Sequence, residues 1–479
     1  MWKRIAILMI AAALLACSLA AQNTDIEALS GLQFSFGNPG ARSLALGGAF
    51  LGLADDASAA EANPAGLTIL RTREISFEGR NFRRETAYFN RGTFPDITDT
   101  EFTAFSRNVE PSFGSIVLPV KNFAFAAYYH QAANYHAAGA VVPEFNQFGQ
   151  ILAGVPDFYI PRGNPIGSGG PVSEAECNRI VSEQGGAACT HFALFPFVTA
   201  VAVDMKTWGL AGAWKSGNFS IGAAIRYQIF EEGAFTFRQT DEGIPVSIAV
   251  QATDLDIDTG EAGEEDDITY TLGVKYTAND KLRFGGVYKV GAEFDAPVFS
   301  RDFVSGTGFR QLTDVKFHIP DVAGVGVSYS PTPVLTINAD LVHVAYSNLV
   351  DDAQPINFAI SVLDDPYEAE DALEYHVGVE YVFTTTPLLA LRAGWWQDPA
   401  HAMTYVGPTT CTDSRILEEE RQLCAAIRTS QRVLFPDPGK DVNHYSVGVG
   451  LAFAKFQIDA AYDTSDRFKV GSLSGVFRF

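Results

Sequence analysis

The sequence is short of charge, short of basic residues, and lacks an interior apolar run of membrane-helix length. Charged side chains make up 19% of its 479 residues, where soluble domains average about 25%. Lys and Arg number 34 against 56 Asp and Glu, a formal net charge of −22. That balance excludes nucleic acid as a partner, because phosphates are bound by the Lys and Arg that neutralise them. Beyond the first 22 residues no stretch approaches the roughly 20 apolar residues of a transmembrane helix. A helical membrane protein is therefore not expected. There is no P-loop and no clear energy-transducing box near residue 23. The His residues (His130, His136, His191, His318, His343, His376, His401 and His444) sit in no nucleophile elbow and beside no recognisable Ser motif, so catalysis is not expected. His376 and Glu380 share one face of a strand and can pair there. No catalytic residue, cofactor or metal site is assigned.

The first residues read as an export signal. Lys3 and Arg4 precede the apolar stretch Ile5 to Ala16, and the small residues Ser18, Ala20 and Ala21 follow; this is the charged, apolar, small-residue order of a cleaved leader. Residues 1–21 are thus excluded from the fold, and loss of Lys3 and Arg4 takes the formal charge from −22 to −24. Leu14-Leu15-Ala16-Cys17 also resembles a lipoprotein cleavage box, in which Cys17 would be acylated, but the preferred reading is that Cys17 is simply a small residue of the leader. The remaining cysteines form two close pairs, Cys177 with Cys189 and Cys411 with Cys424, in Gly-, Pro- and polar-rich segments. An exported chain meets an oxidising compartment, so two local disulfides are the expectation. Zinc is disfavoured because neither pair has the tight spacing of a CxxC site.

What the sequence has in quantity is Gly (43), Phe (36) and Tyr (17), arranged in short segments of period two. In 443–453, Tyr445, Val447, Val449, Leu451 and Phe453 alternate with His444, Ser446, Gly448, Gly450 and Ala452. The same alternation runs through 268–276, 374–383 and 456–463, and it marks strands with one apolar and one polar or small face. Fourteen strands are predicted, near 72–83, 110–119, 121–131, 196–214, 217–230, 267–277, 281–291, 322–330, 333–346, 373–383, 387–396, 443–454, 455–463 and 472–479. Every second connection is tiny, such as Ala454-Lys455 or Pro331 to Pro333, while the others are mostly long (84–109, 132–195, 231–266, 292–321, 347–372, 397–442). The last hairpin, with its short 464–471 connection, is the exception. Short periplasmic turns and long external loops are the pattern of an outer-membrane barrel. A closed barrel also satisfies every backbone hydrogen bond in lipid. At the C-terminus, Leu473, Phe477 and the last residue, Phe479, share one face, opposite Ser472, Ser474 and Arg478. The fold class expected is an all-β membrane protein: a 14-stranded antiparallel transmembrane β-barrel over 72–479, in the outer membrane of a Gram-negative-type bacterium.

Residues 22–71 are Gly/Ala-rich and too poor in long apolar residues to hold a core alone. Asp55 or Asp56 can cap a short helix through Ala62, which Asn63-Pro64 ends. The barrel lumen is the available container, so this stretch is expected to form a luminal hatch. Here the chain resembles the FadL/TodX family of outer-membrane channels. The Asn63-Pro64-Ala65 triplet, after Gly47-Gly48, is similar to the family's hatch motif. The resemblance continues through His318-Ile319-Pro320-Asp321, Gly324 to Pro331, Leu335-Thr336 to Tyr346-Ser347, Tyr375 to Tyr381, and Leu391 to Trp395. Tyr346 stands where the family has Trp.

The resemblance implies a plugged lumen, capture of long-chain fatty acids or hydrocarbons by external loops, passive movement, a rearranging hatch and a sideways exit at a kinked early strand. The segment 121–131 contains no Gly or Pro that would mark such a kink. Candidates along a hydrophobic path are Phe34, Phe36, Phe50, Leu51 and Leu53 in the hatch, which can touch cargo or anchor the plug to the wall. In the loop 132–195 they are Phe145, Phe148, Phe158 and Tyr159, which can bind cargo or pack the loop on itself. Asp254 to Asp267 invites a calcium reading. Its Gly260 comes one place late for an EF-hand loop, so a solvated external loop is expected instead. Expected partners are the cargo, outer-membrane lipid with its lipopolysaccharide, and the barrel-assembly machinery. A barrel that serves a secretion system as shuttle or attachment component is one alternative, and a lipid-acting enzyme is a second. Mass spectrometry of the unreduced mature protein is expected to find Cys177–Cys189 and Cys411–Cys424 bridges; free thiols would refute them.

Overall fold

The computed structural model describes residues 37–87, 103–141, 158–161, 179, 189–192, 197–239, 245–256, 262–303, 308–313, 316–351, 367–401, 404–408, 410, 412, 441–466 and 468–479. Fourteen of its strands close into one antiparallel barrel. In chain order they are β1 Glu74–Ala87, β2 Thr103–Val120, β3 Phe123–Val141, β4 Phe197–Ser216, β5 Phe219–Gln239, β6 Glu265–Asn279 and β7 Leu282–Lys289. They continue as β8 Val322–Thr332, β9 Leu335–Val344, β10 Ala372–Phe383, β11 Leu388–Asp398, β12 Val442–Ala452, β13 Phe456–Thr464 and β14 Phe468–Arg478. Each pairs with the next, and β14 returns to β1 from Glu74–Arg478 to Arg84–Phe468. Closure leaves no strand edge in the hydrocarbon layer, where an unpaired N–H or C=O costs several kcal/mol or more by order of magnitude.

The alternation in the sequence decides which face is which. On β6, Ile268, Tyr270, Leu272, Val274 and Tyr276 are exposed, while Thr269, Thr271 and Lys275 between them are buried. The same holds at the end of the chain, where Leu473, Phe477 and Phe479 are exposed and Ser472 and Ser474 are buried. A soluble protein would not show such a belt of exposed apolar side chains; a lipid-facing wall requires one. Aromatic residues collect at its borders: Phe123, Phe219, Phe453 and Phe477 lie at the short-turn rim, and Trp208 meets Tyr129 at 5.0 Å nearer the other.

All fourteen predicted strands are present; β4, at 20 residues, is close to its expected 196–214, but β2, β3 and β5 run to 18, 19 and 21 residues, well beyond expectation. Their outer halves leave the lipid layer, so nothing demands a strictly apolar face there, and the period-two signal fades across Asn134, His136, Glu231 and Glu232. The stretches 231–266 and 292–321 are likewise more than coil. Strand Pro245–Ala252 pairs with β5, Val298–Asp302 pairs with it in turn, and Arg310–Thr313 pairs with that strand, carrying the sheet outward.

The wall is interrupted at one seam. The β2–β3 ladder runs from Val120–Phe123 only as far as Phe113–His130. Beyond that point β2 pairs with β1 alone and β3 with β4 alone. Each strand carries a register shift beside this point: at Ser112, between the Pro111–Gly79 and Phe113–Glu78 pairs, and at Ala132, between Gln131 and Ala133. An extra residue bends and twists a strand, and here two such bends face each other. An irregularity in β3 therefore exists without a Gly or Pro to mark it in the sequence. Leu272→Arg, which puts a charge midway along the lipid face of β6, is expected to destabilise the folded barrel by about 2–4 kcal/mol. Denaturant titration in lipid vesicles checks this.

Candidate functional site

Inside the wall lies the N-terminal segment. It contains α1 Ala41–Ala45, α2 Ala59–Ala62 and a 3-10 turn Pro64–Ile69. The expected helix is shorter at its start. Asp56 accepts the Ser58 amide at 2.9 Å and its hydroxyl at 2.5 Å, forming a turn ahead of the helix in place of a helix cap. Its end is as expected: Ala62 is the last helical residue, and Asn63 Oδ1 accepts the Ala65 amide at 3.2 Å.

The segment is short of apolar bulk, so polar wall groups hold it through its backbone. The Asp340 carboxylate on β9 accepts the Phe50 and Leu51 amides at 2.6 and 2.7 Å. Lys275 on β6 donates to the Leu53 and Ala54 carbonyls. Asn63 Nδ2 donates to Leu51 O and to Val274 O, both at 3.2 Å. Arg42 bridges from α1 to Glu380 on β10, with Nε–Oε2 and Nη2–Oε1 both 2.9 Å, and to Asp55 at 2.6 Å. Arg392 on β11 ties the same Glu380 to Asp459 on β13. At the other end of the segment, Glu61 takes Lys289 at 2.9 Å and lies 3.9 Å from Arg226. Burial alone would raise the Glu61 carboxyl, but Lys289, Arg226 and His130 hold it at about 2.

Space for this packing comes from missing side chains. Gly222 on β5 lies opposite Gly273 on β6, and a Cβ on either would collide with Asn63, Pro64 or Ala65. In the segment itself, Gly47 and Gly48 have φ of +65° and +79°, which L side chains seldom adopt. They press on the Trp395 backbone and the His376 ring.

The candidates named from the sequence separate accordingly. Asn63, Pro64, Ala65, Gly47 and Gly48 form one contact with the wall. Phe50 and Leu53 are wholly buried and pack in a cluster with Phe113, Val117 and Ala124, as anchors. Leu51 alone of the three also lines a cavity. His376 and Glu380 do not pair. His376 Nε2 meets Glu374 at 3.0 Å and Nδ1 meets Gly47 O at 2.7 Å, while Glu380 is taken by the two arginines. Both are satisfied by other groups of the polar lumen, because a strand pattern shows its own face but not what is inserted against it. Phe34, Phe36, Phe145, Phe148, Cys177, Cys411 and Cys424 lie outside the described residues, as does the leader. Phe158, Tyr159 and Cys189 belong to a short ladder, Phe158–Pro161 with Cys189–Phe192, whose side chains also lie outside them.

The cavity is the feature that the sequence did not announce. It measures about 80 Å³ and lies between the N-terminal segment and the outer half of the wall. Its apolar surface comes from Leu44, Leu51, Val287, Val322, Val342 and Tyr346, its polar surface from Arg80, Lys289, Glu374, His376, Asp398 and Asp463. Trp396 forms part of it, stacked between His376 and His444 at 5.5 and 3.9 Å, with Nε1 3.2 Å from Asp463. A smaller cavity of about 30 Å³ shares Lys289 and Val322 with it and reaches His130 and Ala132, at the seam in the wall. The smaller cavity thus lies between the larger one and the gap between β2 and β3. Their lining is drawn from many strands, and no local motif foretells it.

Comparison with known proteins agrees with this architecture. The family model "Outer membrane protein transport protein (OMPP1/FadL/TodX)" matches residues 197–404. No curated protein sequence matches the chain significantly. Among solved structures, the CymD monoaromatic hydrocarbon channel superposes with a TM-score of 0.55 at 14% identity, covering 93% of this chain and 99% of that one. The Ralstonia pickettii toluene transporter TbuX gives 0.54 at 14% identity, covering 93% and 100%. A Pseudomonas aeruginosa FadL homologue gives 0.53 at 14%, covering 90% and 96%. Sequence over 197–404 is thus similar to the OMPP1/FadL/TodX family, and over nine-tenths of the chain the fold is that of these solved outer-membrane proteins, a closed 14-stranded antiparallel β-barrel.

Proposed function

We propose that the protein carries long-chain fatty acids or hydrocarbons across the outer membrane by passive diffusion, with residues 22–71 as the hatch. The observation that carries this reading is the placement of the larger cavity. It lies on the outer side of the N-terminal segment and continues through the smaller one toward the β2–β3 seam. A hydrophobic solute seated there has clamped protein between itself and the periplasm. The wall gap is the shorter way on, so cargo leaves sideways into the membrane. Apolar surface in the cavity binds it weakly, and the concentration gradient supplies the direction. The related structures named for monoaromatic hydrocarbons and toluene support the hydrocarbon half of this reading, and the one named as a FadL homologue supports the fatty-acid half. In the same reading residues 1–21 direct export, and outer-leaflet lipopolysaccharide and the barrel-assembly machinery are the protein's partners in the membrane.

Cells lacking their own fatty-acid and hydrocarbon channels, supplied with this protein, are expected to take up labelled oleate or toluene faster than cells with an empty vector; equal rates with both solutes would overturn the reading. Replacing Asn63-Pro64-Ala65 by glycines is expected to change uptake while the heat-modifiable barrel band persists. Arg42→Ala removes one partner of a buried ion-pair network, a loss of about 3–5 kcal/mol. It is expected to loosen residues 38–70, which limited proteolysis and planar-bilayer conductance would show as faster cleavage and larger current.

A further inference from the structure

The larger cavity has Tyr346 in its wall, and behind Tyr346 lies His401. The two rings are stacked with centroids 3.8 Å apart and planes within 7°. His401 follows β11 and is 5% exposed. Its Nδ1 is 2.7 Å from the Pro399 carbonyl oxygen, a contact that requires Nδ1–H as donor. Nε2 is then a bare acceptor, and it is buried with no hydrogen-bond partner. The ring is therefore held as a neutral imidazole. A proton on Nε2 would create a buried cation whose new N–H has no acceptor, and such a group is costly unless it reaches water.

Charged and titratable groups approach from each neighbouring element. Asp398, on the same stretch, has Oδ1 3.6 Å from Nδ1. Glu374 on β10 is bonded to His376, Asp441 just ahead of β12 accepts the Ala400 amide, and Tyr346 follows β9. The carboxylates favour a proton on His401, but burial outweighs them and lowers its pKa, against the upward pull of the Pro399 bond and Glu374. The stacked form is thus fully stabilised above the ordinary imidazole value and loses stability as pH falls below it toward the lowered one.

We propose that His401 is an acid-released latch on the cavity: neutral, it holds Tyr346 in the wall; protonated, it leaves the stack for water and opens the cavity to the outside. The gating half rests on the reading of this cavity as the cargo chamber; the release of the ring does not.

Two readouts on the purified full chain in detergent separate these halves. Hydrogen exchange over residues 396–401, corrected for the intrinsic effect of pH, is expected to rise roughly tenfold between pH 7.5 and pH 5 in the wild type, as local opening does. His401→Phe keeps a ring on Tyr346 but cannot take the proton. His401→Asn keeps a donor for Pro399 and cannot take it either. Both variants are expected to lack the rise. A rise in both variants, or none in the wild type, overturns the latch. Association of the neutral fluorescent probe N-phenyl-1-naphthylamine is the second readout, expected to quicken several-fold at pH 5 in the wild type only. Exchange that rises without faster association overturns the gating step. Absence of probe binding at either pH counts against the chamber reading, while the exchange result still decides the latch.

Discussion

Everything in this molecule follows from putting the apolar face outside. Lipid takes the side chains that would form a core in water, so the interior inherits the polar ones. Thr271, Lys275, Asp340, His376, Glu380 and Arg392 all point inward and are buried. Buried polar groups need partners, and a ring of strands this wide cannot supply them all from its own wall. The N-terminal segment meets that need. Its amides and carbonyls answer Asp340 and Lys275, and Arg42 answers Glu380. The inserted N-terminal segment and the polar lumen are therefore two sides of one constraint, and neither is explained without the other.

The same constraint accounts for what is legible in the sequence. Lipid contact imposes period two and short turns impose spacing, so the strands from β6 onward lie within about two residues of expectation at most ends. Where lipid contact ends, so does the pattern, and the outer halves of β2, β3 and β5 carry no such signal. The Asn63-Pro64-Ala65 motif is visible, but its counterparts Gly222 and Gly273 are not. In an alternating strand a glycine counts merely as a small residue on the inner face, and nothing marks it as a space left for another segment. The cavity is invisible for a related reason. Its lining comes from residues 37–51, from β1, and from β7 and later strands, and the pieces meet only in the folded barrel. The actual partners of His376 and Glu380 are hidden for the same reason, since they include groups that arrive from residues 42–47 and from a neighbouring strand.

Polar and apolar surfaces are mixed in the lumen. The larger cavity sets Leu51, Val287 and Val342 beside Lys289 and Glu374. Such a lining places charged groups against apolar ones and so differs from a closed apolar pocket. At the wall gap, two opposed bulges end the ladder, and beyond them β2 keeps only β1 and β3 only β4 as a neighbour, so that the edges facing the gap are not paired with each other.

The clamps on the N-terminal segment reach across almost the whole polypeptide. Ala41 meets Ser474 and Arg42 meets Glu380, separations of 433 and 338 residues. The part of the protein that is synthesised first therefore finds its permanent neighbours only when the last strands arrive. Loop-closure entropy makes such distant contacts late ones. The inserted segment is therefore the last part to be held fast, although it is the first to be made.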